Sequence, residues 1–300
     1  MLRELPDGVS PGGRFATWSA PAPRYVVCDV DGTLVGSSAG ASEAVVRAVR
    51  AAQARGIAVG VATGRMRAAT RALRAQLNID GPHIHFDGAA VHQEHGVLDS
   101  RPLQLDDAAA LLDLVRGVAD AYVEFYTADT YVVSAHDERA AAHWQMLGQQ
   151  PAAVAHDAGD LAGHVWLKAT IVTFDQGRRR RERLAKAVAA LGLRAGASTS
   201  PRTPDLAYLN VTDPGVDKGW GVVRAASYLG VELTRVMAVG DAPNDLPMLT
   251  RAGTAVAMGQ AARDVRDTAH LVVEDIDHDG AATALRAAAT WNDQDVPGTL

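Results

Sequence analysis

From Arg24 to Phe86 the chain alternates short apolar runs with helical stretches, and this alternation narrows the choice of fold more than any other feature. Arg24 to Val30 is β-branched and ends in turn chemistry at Asp31-Gly32; Ile57 to Ala62 and His83 to Phe86 repeat the pattern. Between the first two runs, Val45, Val46, Val49 and Ala52 recur at helical spacing, with Ser42 as N-cap and Gly56 at the C′ position. A basic, alanine-rich helical stretch, Met66 to Leu77, separates the second run from the third. Strand, helix, strand, helix, strand is the signature of a parallel sheet with right-handed crossovers.

The same alternation resumes at Asp217, with a helix to Leu229, a strand Arg235 to Val239, a short helix after Asn244, a strand near Ala255 and a last helix from Gly280. In between, strand-like segments (Tyr122 to Tyr126, Tyr131 to Ser134, Val165 to Phe174, Leu206 to Val211) mix with helical ones at Asp106 to Val118, Asp137 to Leu147 and Arg180 to Leu191. The expected fold is α/β: a discontinuous Rossmann-like core over 24–87 and 209–289, flanked by helices, with an inserted α+β domain over 88–208. Residues 1–23 are expected to form a flexible tail, with a docked strap as the alternative, and 290–300 a polar terminal tail.

Hydrophobic residues at 48% and charged residues at 21% match a soluble globular protein. A single cysteine, Cys28, excludes an internal disulfide framework and fits a reducing compartment. The net charge of −6 argues against a nucleic-acid or anionic-membrane partner. No apolar stretch nears the roughly 20 residues that span a bilayer, and the first 23 residues lack a signal-peptide core. A cytoplasmic protein is expected; its oligomeric state is open.

Four short motifs fall at strand ends or helix starts, where an open parallel sheet places its chemistry. They are Asp29-Val30-Asp31-Gly32-Thr33, Val61-Ala62-Thr63-Gly64-Arg65, Asp217-Lys218-Gly219 and Gly240-Asp241-Ala242-Pro243-Asn244-Asp245. A carboxylate can attack phosphorus without a base. The alkoxide it expels needs a proton, which a second carboxyl supplies before activating water. Asp29 and Asp31, two residues apart as a strand runs out, fit that division. Asp29, Asp31, Asp241 and Asp245 converging on a dianionic ester would repel it unless a hard cation and a basic group sit among them. Mg²⁺ takes carboxylates, water and substrate phosphate, and Lys218 and the Thr63 hydroxyl are natural clamps for phosphoryl oxygens.

Each motif alone has a plainer reading. Asp-x-Asp-Gly occurs in turns and calcium loops, although position 40, where such a loop needs glutamate, is Gly40. Thr63-Gly64 alone is a capped strand-to-helix turn, Lys218 alone a surface lysine, and Gly240-Asp241 alone a turn. It is their order and common placement that single them out.

With these four motifs in place, the sequence resembles the haloacid dehalogenase-like phosphatases, specifically their Cof-type branch, from Val26 to about Ala287. The resemblance is specific in the core and vague across most of the insert. It implies Asp29 as nucleophile, Asp31 as general acid/base, and Thr63-Gly64 and Lys218 as the phosphoryl cradle. It further implies Mg²⁺ held by Asp29, the Asp31 backbone carbonyl and Asp241, supported by Asn244 and Asp245, and an insert that acts as a cap selecting a small phosphorylated metabolite. Sugar or aminosugar phosphates are the first expectation. A phosphomutase or phosphotransferase on the same scaffold, or a non-catalytic phosphoacceptor domain, is the alternative. One departure is Asp87-Gly88, where the branch usually has Asn-Gly; it is read as a turn, with both residues kept as candidate substrate contacts.

His83, His85, His92 and His95 crowd the end of the first core segment, and His-x-His could suit zinc. An oxygen-rich acidic site already accounts for a metal, so packing roles are preferred. Arg178 to Arg181 reads as a solvated helix face, Cys28 as a core residue on the strand face opposite Asp29, and Trp166 and Lys168 as cap residues that could face substrate.

Overall fold

The computed structural model describes residues 5–37, 40–79, 81–174, 177–199 and 202–292. Its strands, in chain order, are β1 (Ser10–Pro11), β2 (Tyr25–Cys28), β3 (Ala58–Val61), β4 (His83–His85), β5 (Ala90–Gln93), β6 (Gly96–Ser100), β7 (Ala121–Tyr126), β8 (Tyr131–Val133), β9 (Lys168–Thr173), β10 (Arg194–Thr199), β11 (Ala207–Thr212), β12 (Val236–Gly240), β13 (Thr254–Ala257) and β14 (Leu271–Val272). The chain forms two compact units. One takes residues up to Gly64, Thr70–Asp99 and everything from Asp217; the other takes Ser100–Val216 and Arg65–Ala69. The passage between them thus falls after Asp99 and before Asp217, where the sequence placed it after Asp87 and Tyr208, because β5 and most of β6 pair on from β4. No helix among the described residues is long and apolar enough to cross a membrane.

The core unit is an α/β fold around a sheet of order β1-β14-β13-β12-β2-β3, parallel except for β1. Alternation along the strands sorts their side chains onto two faces. Val26, Cys28, Val59, Val61, Met237 and Val239 meet the helices Glu43–Ala54 and Gly280–Thr290 on one side. Tyr25, Val27, Val236 and Ala238 meet Lys218–Leu229 and Leu246–Arg251 on the other. Helices on both faces are what a buried parallel sheet requires. Ser42 caps the first helix by accepting from the Val45 N–H at 3.2 Å, as its sequence position predicted. Cys28 is fully buried, and burial pushes its thiol up to about 12; it is an inert core group.

Two features depart from the sequence expectation. His83–His85 joins the parallel sheet's ladder by an isolated bridge, Ala62 to Ile84, and turns into an antiparallel sheet with β5 and β6. The expected flexible tail is docked from residue 5 onward. Its β1 pairs with β14, and Trp18, 5% exposed, packs edge-on against Trp291 with its indole N–H donating to Thr254 Oγ1 at 3.3 Å. An indole that large recovers enough apolar burial to offset ordering a polar segment.

The insert unit carries a sheet of order β10-β11-β9-β7-β8. Val123 and Phe125 of β7 face the helices Leu105–Arg116 and Arg178–Ala190. Trp166 belongs to the same apolar cluster, its indole donating to the Leu161 carbonyl at 2.8 Å, so it is a core residue and not a substrate-facing one. The opposite face of β7 holds Glu124, fully buried. Its Oε1 accepts from Tyr122 Oη at 2.9 Å and Trp144 Nε1 at 3.2 Å, and its Oε2 accepts from Tyr126 Oη and, at 3.0 Å, His143 Nε2. Four donors fill the acceptor capacity of one carboxylate, which makes the burial tolerable. Glu124→Gln turns an NH₂ toward two of those donors and should cost about 2 kcal/mol. The check is urea denaturation followed by tryptophan fluorescence, since Trp144 reports on this cluster.

Candidate active site

From β2 the chain runs to β3 on one side and later returns as β12 and β13 on the other, so the strand order reverses between β2 and β12. Open parallel sheets bind ligands outside the carboxyl ends of their strands at such a switch point. Asp29 directly follows β2 and Asp241 directly follows β12, in a register that pairs Cys28 with Val239. Two carboxylates far apart in sequence therefore emerge side by side.

Lys218 opens the helix Lys218–Leu229, capped by Asp217, whose carboxylate accepts from the Trp220 N–H at 2.7 Å. The helix start is pressed against the turn after β4: at Gly88, φ +113°, a Cβ would lie 2.1 Å from the Asp217 carbonyl oxygen. Gly88 is thus a buried position with no room for a side chain. Lys218 Nζ donates to Asp29 Oδ1 and to Asp245 Oδ1, each at 2.6 Å, with all three residues at most 5% exposed. Asp245 Oδ2 accepts from the Asp241 and Ala242 N–H groups, both at 3.0 Å. Asp245 therefore ties Lys218, the loop after β12 and the β12 end into one piece.

Asp241 is gripped from the first motif. Thr33 Oγ1 donates to its Oδ1 at 2.9 Å. Gly32, at φ +90°, lies so close that a Cβ there would fall 2.4 Å from Asp241 Oδ2; only glycine suits both the backbone and the contact. Thr33 belongs to the motif but received no role from sequence; buried and bonded to a carboxylate, it has one.

One oxygen each of Asp29, Asp241 and Asp245 lies within 4.8 Å of the others. Three carboxylates against a single ammonium leave this pocket of side chains negative, which a dianionic phosphate ester could not enter. Hard oxygen donors at that spacing fit a small divalent cation such as Mg²⁺. Burial pushes Asp29 well above the usual carboxylate range, opposed by Lys218. Burial also works against the charge on Lys218, but Asp245 and Asp29 together hold it above the usual lysine range, so the ammonium persists. Asp29 therefore depends on neighbouring positive charge to ionise.

Burial likewise lifts Asp241 to about 6, against the opposing Thr33 hydrogen bond. A protonated Asp241 cannot ligate, so a cation must displace that proton. Mg²⁺ affinity should fall by at least about tenfold per unit as the solution is acidified below pH 6. Calorimetric titration of the chelated protein with Mg²⁺ at pH 5, 6, 7 and 8 checks this.

The remaining predicted residues are placed as follows. Thr63 is buried at the tip of β3, its N–H donating to the Ile84 carbonyl at 2.9 Å and its carbonyl accepting from the Asp87 N–H at 3.1 Å. Phe86 and Asp87 both adopt left-handed backbone, φ +55° and +57°, a strained pairing for two non-glycine residues. It brings the Asp87 carboxylate against Gly64, where a Cβ would meet Oδ1 at 2.7 Å. Asp31 and Asn244 are exposed, and the Asp31 carboxylate does not join the three-carboxylate group. His83, His85 and His92 are buried, with Nδ1 of His85 and His92 3.3 Å apart and Thr70 Oγ1 2.9 Å from His85 Nε2; His95 lies exposed in the β5–β6 turn. Among the described residues the three aspartates, and not these histidines, form the cluster of three or more candidate ligands.

Comparison with known proteins accords with this geometry. The profile of the haloacid dehalogenase-like hydrolase family matches residues 26–285. The chain is 26% identical over 263 residues to the 5-amino-6-(5-phospho-D-ribitylamino)uracil phosphatase YcsE of Bacillus subtilis, covering 88% of this chain and 94% of that protein. It is also 26% identical over 274 residues to a phosphoglycolate phosphatase of Methanopyrus kandleri, covering 87% and 95%. Among solved structures, a phosphatase of the haloalkanoate enzyme superfamily from Bacteroides thetaiotaomicron superimposes with a TM-score of 0.73 at 25% identity, over 89% of this chain and 95% of that one. A subclass IIB sugar phosphatase matches with a TM-score of 0.73 at 24% identity, over 88% and 98%, a likeness of fold alone. Because the match spans both core segments and the insert between them, the chain belongs to the haloacid dehalogenase-like hydrolases and is a phosphoric monoester hydrolase.

Proposed function

We propose that the protein is a Mg²⁺-dependent phosphatase of small phosphorylated metabolites, with sugar and aminosugar phosphates foremost, and that it works through an aspartyl-phosphate at Asp29. The observation that carries the reading is Lys218 Nζ held 2.6 Å from both Asp29 and Asp245, with Asp241 alongside. Such a buried, charge-dense arrangement costs stability and has no packing purpose. The YcsE relative is named for a phosphoribityl substrate, a phosphate ester on a polyol chain, which supports the choice of substrate class.

Lys218 occupies Asp29 Oδ1, so Oδ2 is the oxygen that attacks. The Asp29 Oδ2–P bond forms as the ester P–O bond breaks, and Asp31, exposed at the mouth of its loop, gives its proton to the departing alkoxide. Asp31 then takes a proton from water as that water attacks phosphorus, which releases inorganic phosphate and restores Asp29. The third N–H of Lys218 and the Thr63 hydroxyl would hold equatorial phosphoryl oxygens. Asp29, the Asp31 carbonyl and Asp241 would hold Mg²⁺, with Asp245 and Asn244 in support. The ion supplies the positive charge that lets a dianion approach these carboxylates.

The test is phosphate release from a panel of sugar, aminosugar, polyol and carboxylic-acid phosphates, with Mg²⁺ and with EDTA. Metal-dependent turnover concentrated in the sugar, aminosugar and polyol members is expected. Equal turnover in EDTA would remove the metal from the account, and activity confined to carboxylic-acid phosphates would remove the substrate class.

A further inference from the structure

The loop after β2 is tied down by a residue outside all four motifs. Gln260 follows β13, whose end lies beside β12: the Met258 N–H donates to the Gly240 carbonyl at 3.0 Å. Its side chain bridges two backbones. Nε2 donates to the Gly32 carbonyl at 2.6 Å, and Oε1 accepts from the Ile276 N–H at 3.1 Å. A carbonyl can only accept and an N–H can only donate, so the amide's orientation follows from its partners.

The carbonyl it holds belongs to the Gly32–Thr33 peptide, and that peptide touches Asp241 on both sides. Gly32 Cα packs on Oδ2, and Thr33 Oγ1 donates to Oδ1. Gly32, at φ +90°, has no side chain of its own to fix its plane. Its N–H is engaged by the Val35 carbonyl at 2.9 Å, so Gln260 supplies the matching restraint on its C=O. We infer that Gln260 is a positioning residue: by clamping the Gly32 carbonyl it holds the Gly32–Thr33 peptide, and through it the Asp241 carboxylate, in the orientation that binds a divalent cation. It does not touch the cation or the substrate. This rests on the reading of Asp241 as a metal ligand given above.

Outer contacts that orient a ligating carboxylate commonly set metal affinity by 10–100-fold. The experiment is calorimetric titration of Mg²⁺ into the intact, chelated protein, with the melting temperature of each variant recorded without metal. Gln260→Ala should weaken Mg²⁺ binding about tenfold while leaving the metal-free melting temperature unchanged. Gln260→Glu keeps the acceptor for Ile276 but sets a carboxylate against the Gly32 carbonyl; it should bind Mg²⁺ no better than the alanine variant. Wild-type affinity in both variants, or a loss that only tracks a fall in melting temperature, overturns the inference. Full recovery in Gln260→Glu would overturn it too, since the clamp would then act through Ile276. Asp241→Asn serves as the separating control. If it still binds Mg²⁺ like the wild type, the ligand assignment itself fails; if it loses binding while the Gln260 variants do not, only the positioning role fails.

Discussion

Asp29→Asn should lower the rate of phosphate release on the order of 10⁴-fold or more, the scale on which enzymes lose activity when a nucleophile is removed. The amide is nearly isosteric and should still lie beside Lys218, so the loss should fall mainly on kcat. Its oxygen is a far weaker nucleophile, and no neighbouring group among the described residues stands in the same place after β2. The substitution also removes one of the carboxylates that Lys218 separates, so the variant should be at least as stable as the wild type without metal. Steady-state kinetics on the best substrate of the panel, with thermal melts in EDTA, measures both. Near wild-type turnover would place the attacking group elsewhere.

Lys218→Met should fail on two fronts. Loss of a preorganised cation at a transferring phosphoryl group costs on the order of 10²–10³ in kcat. In the metal-free protein, removing the ammonium that bridges buried Asp29 and Asp245 should also cost about 3–5 kcal/mol at neutral pH. The pH dependence follows from the direction of the Asp29 shift. Burial already raises its folded pKa, and Lys218 opposes that rise. Without the lysine the folded pKa climbs further above the unfolded one, so the folded variant holds a proton that the unfolded chain releases. Its deficit against the wild type should thus be largest above the folded pKa and shrink as the solution is acidified. Added Mg²⁺ should restore part of the melting temperature in the variant. Chemical denaturation at pH 5 and pH 8, with and without Mg²⁺, separates these effects; a deficit independent of pH would mean that Asp29 is not the group left uncompensated.

The parallel core was legible because its strands are short β-branched runs bounded by turn residues, and because Ser42 and Asp217 mark helix starts by their side-chain caps and Gly56 a helix end by its left-handed backbone. The four motifs were legible for a related reason: Asp29 and Asp241 each follow the last residue of a strand, and adjacent parallel strands deliver their ends to one edge. What escaped depended on tertiary partners. Arg194–Thr199, with Gly196 at its centre and no apolar alternation, is a strand only because β11 offers it a full ladder. The docking of the first segment hangs on Trp18 finding Trp291, nearly the length of the chain away. Thr33 and Gln260 gave no signal of their own, since one hydroxyl and one amide acquire a role only when the fold brings them to Asp241 and Gly32. The left-handed backbone at Phe86 and Asp87 was equally invisible, because nothing in those residue types favours it.

The most direct measurement is chemical capture of the intermediate. The enzyme, mixed with substrate and Mg²⁺, is quenched into borohydride, which reduces an aspartyl-phosphate to homoserine, and the digest is sequenced by mass spectrometry. Homoserine at position 29, absent without substrate and absent in Asp29→Asn, is the predicted result. Turnover with no reduced residue at position 29, or with the reduced residue at Asp31, Asp241 or Asp245, would contradict the account.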